Sequence, residues 1–80
     1  MAVPFHVIRD GLVYELEEED EGGYTITVPS LPGCLSYGAS FEEAMAMIVD
    51  ALVGWVAVAE EEGIPVPESA LRVAKATTPG

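Results

Sequence analysis

Tyr24-Thr25-Ile26-Thr27-Val28-Pro29-Ser30-Leu31-Pro32-Gly33-Cys34, continued by Leu35 to Gly38 and then by Ser40-Phe41-Glu42-Glu43, decides the fold of this chain. Tyr24, Ile26 and Val28 alternate with threonines, the period of a half-buried strand. Pro29 and Pro32 forbid that strand from continuing as a central ladder, and Gly33 can supply a turn's positive φ. Leu35 to Gly38 has room for one short strand. Ser40 can then cap a helix whose third residue, Glu43, returns a bond to the cap, while Glu42 and Glu43 put negative charge at the positive end of the helix dipole.

Along that helix, Phe41, Ala44, Met45, Ile48, Ala51, Leu52, Trp55, Val56 and Ala59 recur at the spacing of a core-facing stripe. Glu60, Glu61 and Glu62 leave the stripe, and Gly63 with Pro65 ends it. A second apolar flank runs through Ala46, Val49, Val53 and Ala57, and Met47 and Val58 widen the stripe on its other side. A small domain has little material with which to cover two sides of a helix. Val49, Val53 and Ala57 are therefore expected to form a self-association surface.

Working outward, Phe5 and Val7 alternate before Arg9-Asp10-Gly11, a tight turn. Leu12, Tyr14 and Leu16 form a second strand, and Asp20-Glu21-Gly22-Gly23 turns the chain into the Tyr24 strand. Beyond the helix, Ile64-Pro65-Val66-Pro67-Glu68-Ser69 is an extended connector. Ala70 to Ala74 is expected as a last strand returning to the sheet, and Thr77 to Gly80 as a loose tail.

Length and composition narrow the function. Eighty residues make one domain, and a chain this size buries only about 60% of its unfolded surface. Half of its residues are hydrophobic, which favours a homo-oligomer (a dimer or tetramer) or a stable complex with another protein. The apolar run from Met45 to Ala59 is interrupted by Asp50 and is shorter than the ~20 residues that span a bilayer. No basic segment precedes an apolar run at the N-terminus, so no signal peptide is expected, and one cysteine fits a reducing cytoplasm. Fourteen acids face three basic residues, a net charge of −11. That balance argues against nucleic-acid binding, and it fits equally a basic protein partner or acidity that keeps an apolar chain in solution.

Catalytic material is sparse. Cys34 is the only thiol and His6 the only imidazole, with no orienting third group for a nucleophile. Two such ligands do not make a zinc site, no phosphate loop follows a strand, and no cofactor is expected. The carboxylates from Glu15 to Glu21 sit in one hairpin without a companion set, so a metal-dependent nuclease is a poor fit.

The residues Tyr24 to Pro29, Leu31-Pro32-Gly33-Cys34, Gly38, Ser40-Phe41-Glu42-Glu43-Ala44 and Asp50-Ala51-Leu52, with the connector Gly63 to Ser69, resemble the HicB antitoxin family, partners of the HicA ribonuclease toxins. The likeness covers about two-thirds of the chain. Ser30 stands where the family commonly has an acid and Met47 where it has an asparagine. The resemblance implies an α+β fold, a small antiparallel sheet with one packed helix in a truncated RNase H-like β-β-β-α-β order. Leu31, Pro32, Gly33, Cys34, Ser40 and Glu43 would be its structural motif. It also implies a non-catalytic cytoplasmic antitoxin that masks a small basic HicA-like ribonuclease; the alternative is a stand-alone oligomeric binding module without a toxin. The appended DNA-binding domain of many relatives is not expected, nor is operator binding. Glu15, Glu17, Glu18, Glu19 and Asp20, the densest negative run, are expected to meet the toxin's RNA-binding surface as a phosphate mimic.

Overall fold

The computed structural model describes residues 3–77. Four strands, β1 (Phe5–Arg9), β2 (Leu12–Glu18), β3 (Tyr24–Thr27) and β4 (Leu35–Gly38), precede two helices, α1 (Phe41–Glu62) and α2 (Glu68–Thr77). The sheet is a meander of order β1-β2-β3-β4, antiparallel throughout.

Each connection has a local cause. Asp10 and Gly11 both take positive φ, 54° and 79°, the pair of conformations a two-residue hairpin turn needs to match strand twist. Between β2 and β3, the Glu19 N–H donates to the Gly23 carbonyl at 2.9 Å and the Gly22 N–H to the Glu19 carbonyl at 3.0 Å. Between β3 and β4, the Val28 N–H reaches the Cys34 carbonyl at 3.1 Å. Inside that loop the Leu31 N–H donates to Val28 and the Cys34 N–H to Leu31, both at 2.9 Å. Gly33, at φ 83°, makes the bend.

The alternation works as the sequence suggests. Leu12, Tyr14, Leu16, Ile26 and Val28 are buried on one sheet face, and α1 lies on it through Ala44, Met45, Ile48, Leu52, Val56 and Ala59. Phe5, Tyr24 and Phe41 close the end of this layer near the start of α1, with ring centroids 6.2 to 6.5 Å apart. Ser40 Oγ accepts the Glu43 N–H at 3.1 Å, and Glu43 Oε1 accepts the N–H of Ala39, one residue before the cap, at 2.9 Å. At the other end Gly63 takes φ 72°. The Ile64 N–H returns to the Ala59 carbonyl at 2.8 Å and the Gly63 N–H to that of Glu60 at 3.3 Å, the paired bonds of a Schellman stop.

The segment Ala70 to Ala74, expected as a strand, is helical instead. The fold is α+β, with four strands and a second helix, so the element order is β-β-β-β-α-α where β-β-β-α-β was expected. Ala70, Val73 and Ala74 are the buried residues of α2, spaced i, i+3, i+4, and Ala, Leu, Arg and Lys all favour helix. The Leu71 N–H donates to the Pro67 carbonyl at 3.0 Å, which opens the first turn. α2 packs against α1. Thr77 ends α2, and the rest of the expected loose tail, residues 78–80, lies outside the described residues.

Candidate functional site: an uncovered acidic sheet face and an apolar groove

The helices cover one face of the sheet. By the register, the other face carries His6 and Ile8 from β1, Val13, Glu15 and Glu17 from β2, Thr25 and Thr27 from β3, and Leu35 and Tyr37 from β4. Glu15 sits between His6 and Thr27, and its Oε1 lies 3.0 Å from His6 Nε2. Glu17 sits opposite Thr25, whose hydroxyl donates to Glu19 Oε2 at 2.9 Å. Across the same face the Tyr37 hydroxyl donates to the Gly22 carbonyl at 3.0 Å, tying β4 to the β2–β3 turn.

The five acids of the sequence run are thus divided. Glu15, Glu17 and Glu19 belong to the uncovered face. Glu18 alternates to the opposite side, paired in register with Tyr24, and Asp20 is exposed at the hairpin tip. Among the described residues the only close contact of a His, Lys or Arg side chain with a carboxylate is that of His6 with Glu15. On the same face Glu17 is exposed and Glu19 is half-buried and holds the Thr25 hydroxyl, with exposed Ile8 and Val13 at one end and Leu35 and Tyr37 along the β4 edge.

Catalytic groups are not brought together. Cys34 is buried beside β4 and His6 lies on β1 at the opposite edge, three strands and roughly 14 Å away. Burial pushes the Cys34 thiol above its ordinary pKa, the reverse of what a nucleophilic thiolate needs. Among the described residues no three His, Cys, Asp or Glu side chains gather as metal ligands, and no helix is long and apolar enough to cross a membrane.

The helix flank expected to self-associate has a neighbour in the same chain. Val49 and Val53 are half-buried against the core. Val53 and Ala57 border a shallow cleft whose other wall is Leu71, Ala74 and Lys75 of α2.

A larger cavity, about 660 Å³, lies between the Pro29–Cys34 turn, α1 and the residues after it. Pro32, Leu35, Gly54, Trp55, Val58 and Ile64 are among its lining residues. The Trp55 Nε1–H donates to the Pro32 carbonyl at 2.9 Å and holds the turn against the helix. Leu31 and Cys34 anchor the turn in the core. Sequence reasoning missed this groove. Its one advance signal is a lone tryptophan on the side of the stripe next to Val58.

A UPF0150 protein of Synechocystis sp. is 41% identical over 58 residues, 72% of this chain and 73% of its own length. A UPF0150 protein of Helicobacter pylori is 46% identical over 41 residues, 51% of this chain and 57% of that protein. Antitoxin HicB 1 of Photorhabdus laumondii subsp. laumondii is 45% identical over 38 residues, 48% of this chain but only 24% of the longer protein. No solved structure gives a significant match. The family model for the HicB-like antitoxin of bacterial toxin-antitoxin systems matches residues 13–78, from the second strand through the last helix, and the chain belongs to that family.

Proposed function

We propose that this chain is a non-catalytic antitoxin that binds a small, basic, HicA-like ribonuclease and blocks its RNA-facing surface. The observation that carries this reading is the uncovered sheet face, where Glu15, Glu17 and Glu19 stand among exposed apolar side chains. A surface that binds RNA presents cations at phosphate spacing, and rigidly held carboxylates can answer them as a phosphate mimic. Apolar residues beside the acids supply the desolvated contact that charges alone do not. Membership of an antitoxin family supports the same reading, as does the net charge of −11.

The test is co-expression with the product of the adjacent reading frame, followed by association kinetics at several salt concentrations. Replacing Glu15, Glu17 and Glu19 together by Gln is expected to slow association roughly tenfold at low salt and flatten its salt dependence. Glu18→Gln, on the opposite side of the strand, is expected to change little. Unchanged rates for the triple variant would reduce the acidic run to a solubility device. Failure of any small basic protein to co-purify would favour a stand-alone oligomeric binding module.

A further inference from the structure

The outer edge of β1 borders the acidic face. Asp10 and Gly11 form a two-residue turn, so Arg9 and Leu12 exchange both of their backbone hydrogen bonds. Bonded and non-bonded pairs alternate along the ladder, which turns the N–H and C=O groups of Phe5, Val7 and Arg9 towards β2. Those of His6 and Ile8 therefore point outward, where β1 has no further strand beside it. The devices that usually guard an edge are thin here. Lys and Arg are represented on β1 by Arg9 alone, at the turn, Pro4 precedes the strand, and Ile8 is 72% exposed.

We infer that this edge receives an extended segment of a basic protein, which adds a fifth strand to the sheet. The inference rests on the antitoxin reading and supplies its mode of docking. The N–H and C=O groups of His6 and Ile8 give the segment its main-chain bonds, and alternate side chains give it selectivity. On the uncovered face those side chains stand beside His6 and Ile8, one strand beyond Glu15. Neighbouring strands lie about 4.8 Å apart, so a residue of the added strand is roughly 10 Å from Glu15 across the sheet. An extended lysine or arginine and the glutamate side chain together span that gap. On the other face the segment meets exposed Phe5 and half-buried Val7, which favour an apolar residue.

The matching segment thus alternates cationic and apolar residues. No strand of this chain supplies that pattern, because β1 to β4 hold a single lysine or arginine between them, Arg9. The occupant is a strand of another, basic protein.

The probe is an acetylated and amidated hexapeptide of alternating lysine and valine, followed by NMR of the isotope-labelled full chain. Excess peptide is expected to slow amide exchange at His6 and Ile8 at least about tenfold, with a dissociation constant below about 1 mM. The same peptide with glutamate in place of lysine should leave both amides unchanged. Ile8→Pro removes an outward N–H that no strand uses, so the variant should keep its circular dichroism. It should bind the lysine peptide at least about fivefold more weakly than Ile8→Ala, which keeps the N–H. Should the proline variant fail to fold, the exchange measurement on the wild-type chain decides alone. Absence of binding, or contacts confined to Glu60 to Glu62 or to the outer edge of β4, would overturn the inference. So would equal binding by the folded proline and alanine variants, or protection of the His6 and Ile8 amides in the chain alone. The antitoxin reading is judged apart, by co-purification of a small basic protein and by the triple glutamate variant. A complex with that protein in which both amides still exchange freely would leave that reading standing and remove only the strand addition.

Discussion

Gly38→Ala tests how closely β4 and α1 are held. Gly38 ends β4, is buried, and needs no positive φ. Its role is space: a Cβ there would fall 2.2 Å from the Ala44 nitrogen, 2.5 Å from the Ala44 Cα and 2.7 Å from the Glu43 carbonyl carbon. These atoms are helix backbone, so no rotamer change relieves them. Ordinary contact begins near 3.4 Å, so the first turn of α1 must lift by about 1 Å or the strand must yield. Either shift loosens the seats of Ala44, Met45 and Ile48. Overpacking typically costs ~1–3 kcal/mol. With backbone on both sides the upper end applies, about 3 kcal/mol, and in a domain this small that lowers the melting temperature by roughly 10–20 °C. Gly33→Ala is the control. Its Cβ meets open space and only the φ of 83° resists it, so about 1 kcal/mol is expected. The assay is thermal and urea unfolding of both variants in parallel. A Gly38→Ala chain melting within about 2 °C of wild type would refute the argument that this approach positions the helix.

Other outcomes follow from the caps, the turn and the buried acids. Ser40→Ala removes the acceptor of the Glu43 N–H and should cost about 1 kcal/mol in urea unfolding. Trp55→Phe keeps most of the apolar contact but orphans the Pro32 carbonyl of its indole donor. It should cost about 1 kcal/mol and speed proteolysis within the Pro29–Cys34 turn. The Cys34 thiol and the Tyr14 hydroxyl are both pushed above their ordinary values, 9.0 and 10.0, chiefly by burial. Above those values the unfolded chain releases protons that the folded one retains, so stability should fall with rising pH, beginning near the ordinary thiol value. Melting curves from neutral to alkaline pH read this directly, and Cys34→Ala should delay its onset.

Much of this architecture is legible in the chain because its causes are local. Threonine alternation, the Pro-Gly turn, Ser40 with Glu43, and Gly63 each act within a few residues, and the elements they predict are present. Ala70 to Ala74 was misleading because five residues hold too little periodicity to separate a strand from a helix. The deciding fact, burial of Ala70, Val73 and Ala74 beside α1, is tertiary. The candidate site divides in the same way. The acidic run is visible in the sequence, but its sorting into Glu15, Glu17 and Glu19 on one face and Glu18 on the other needs the strand to extend to Glu18. The groove is invisible in advance because its walls come from residues 30–35, 51–59 and 64–65.

The strict meander carries a consequence for how the chain acquires its structure. Every strand pairs only with its sequence neighbours, so no ladder waits on a distant segment, and topology of this kind places little loop-closure entropy in the path of folding. During synthesis all four strands emerge before α1. Their apolar face, with Leu12, Tyr14, Leu16 and Ile26, then stays wet until the helix arrives. The cooperative step is therefore the docking of α1, and the Ser40–Glu43 cap, made within the first turn, is ready before that docking begins. Substitutions along the α1 stripe should therefore slow folding.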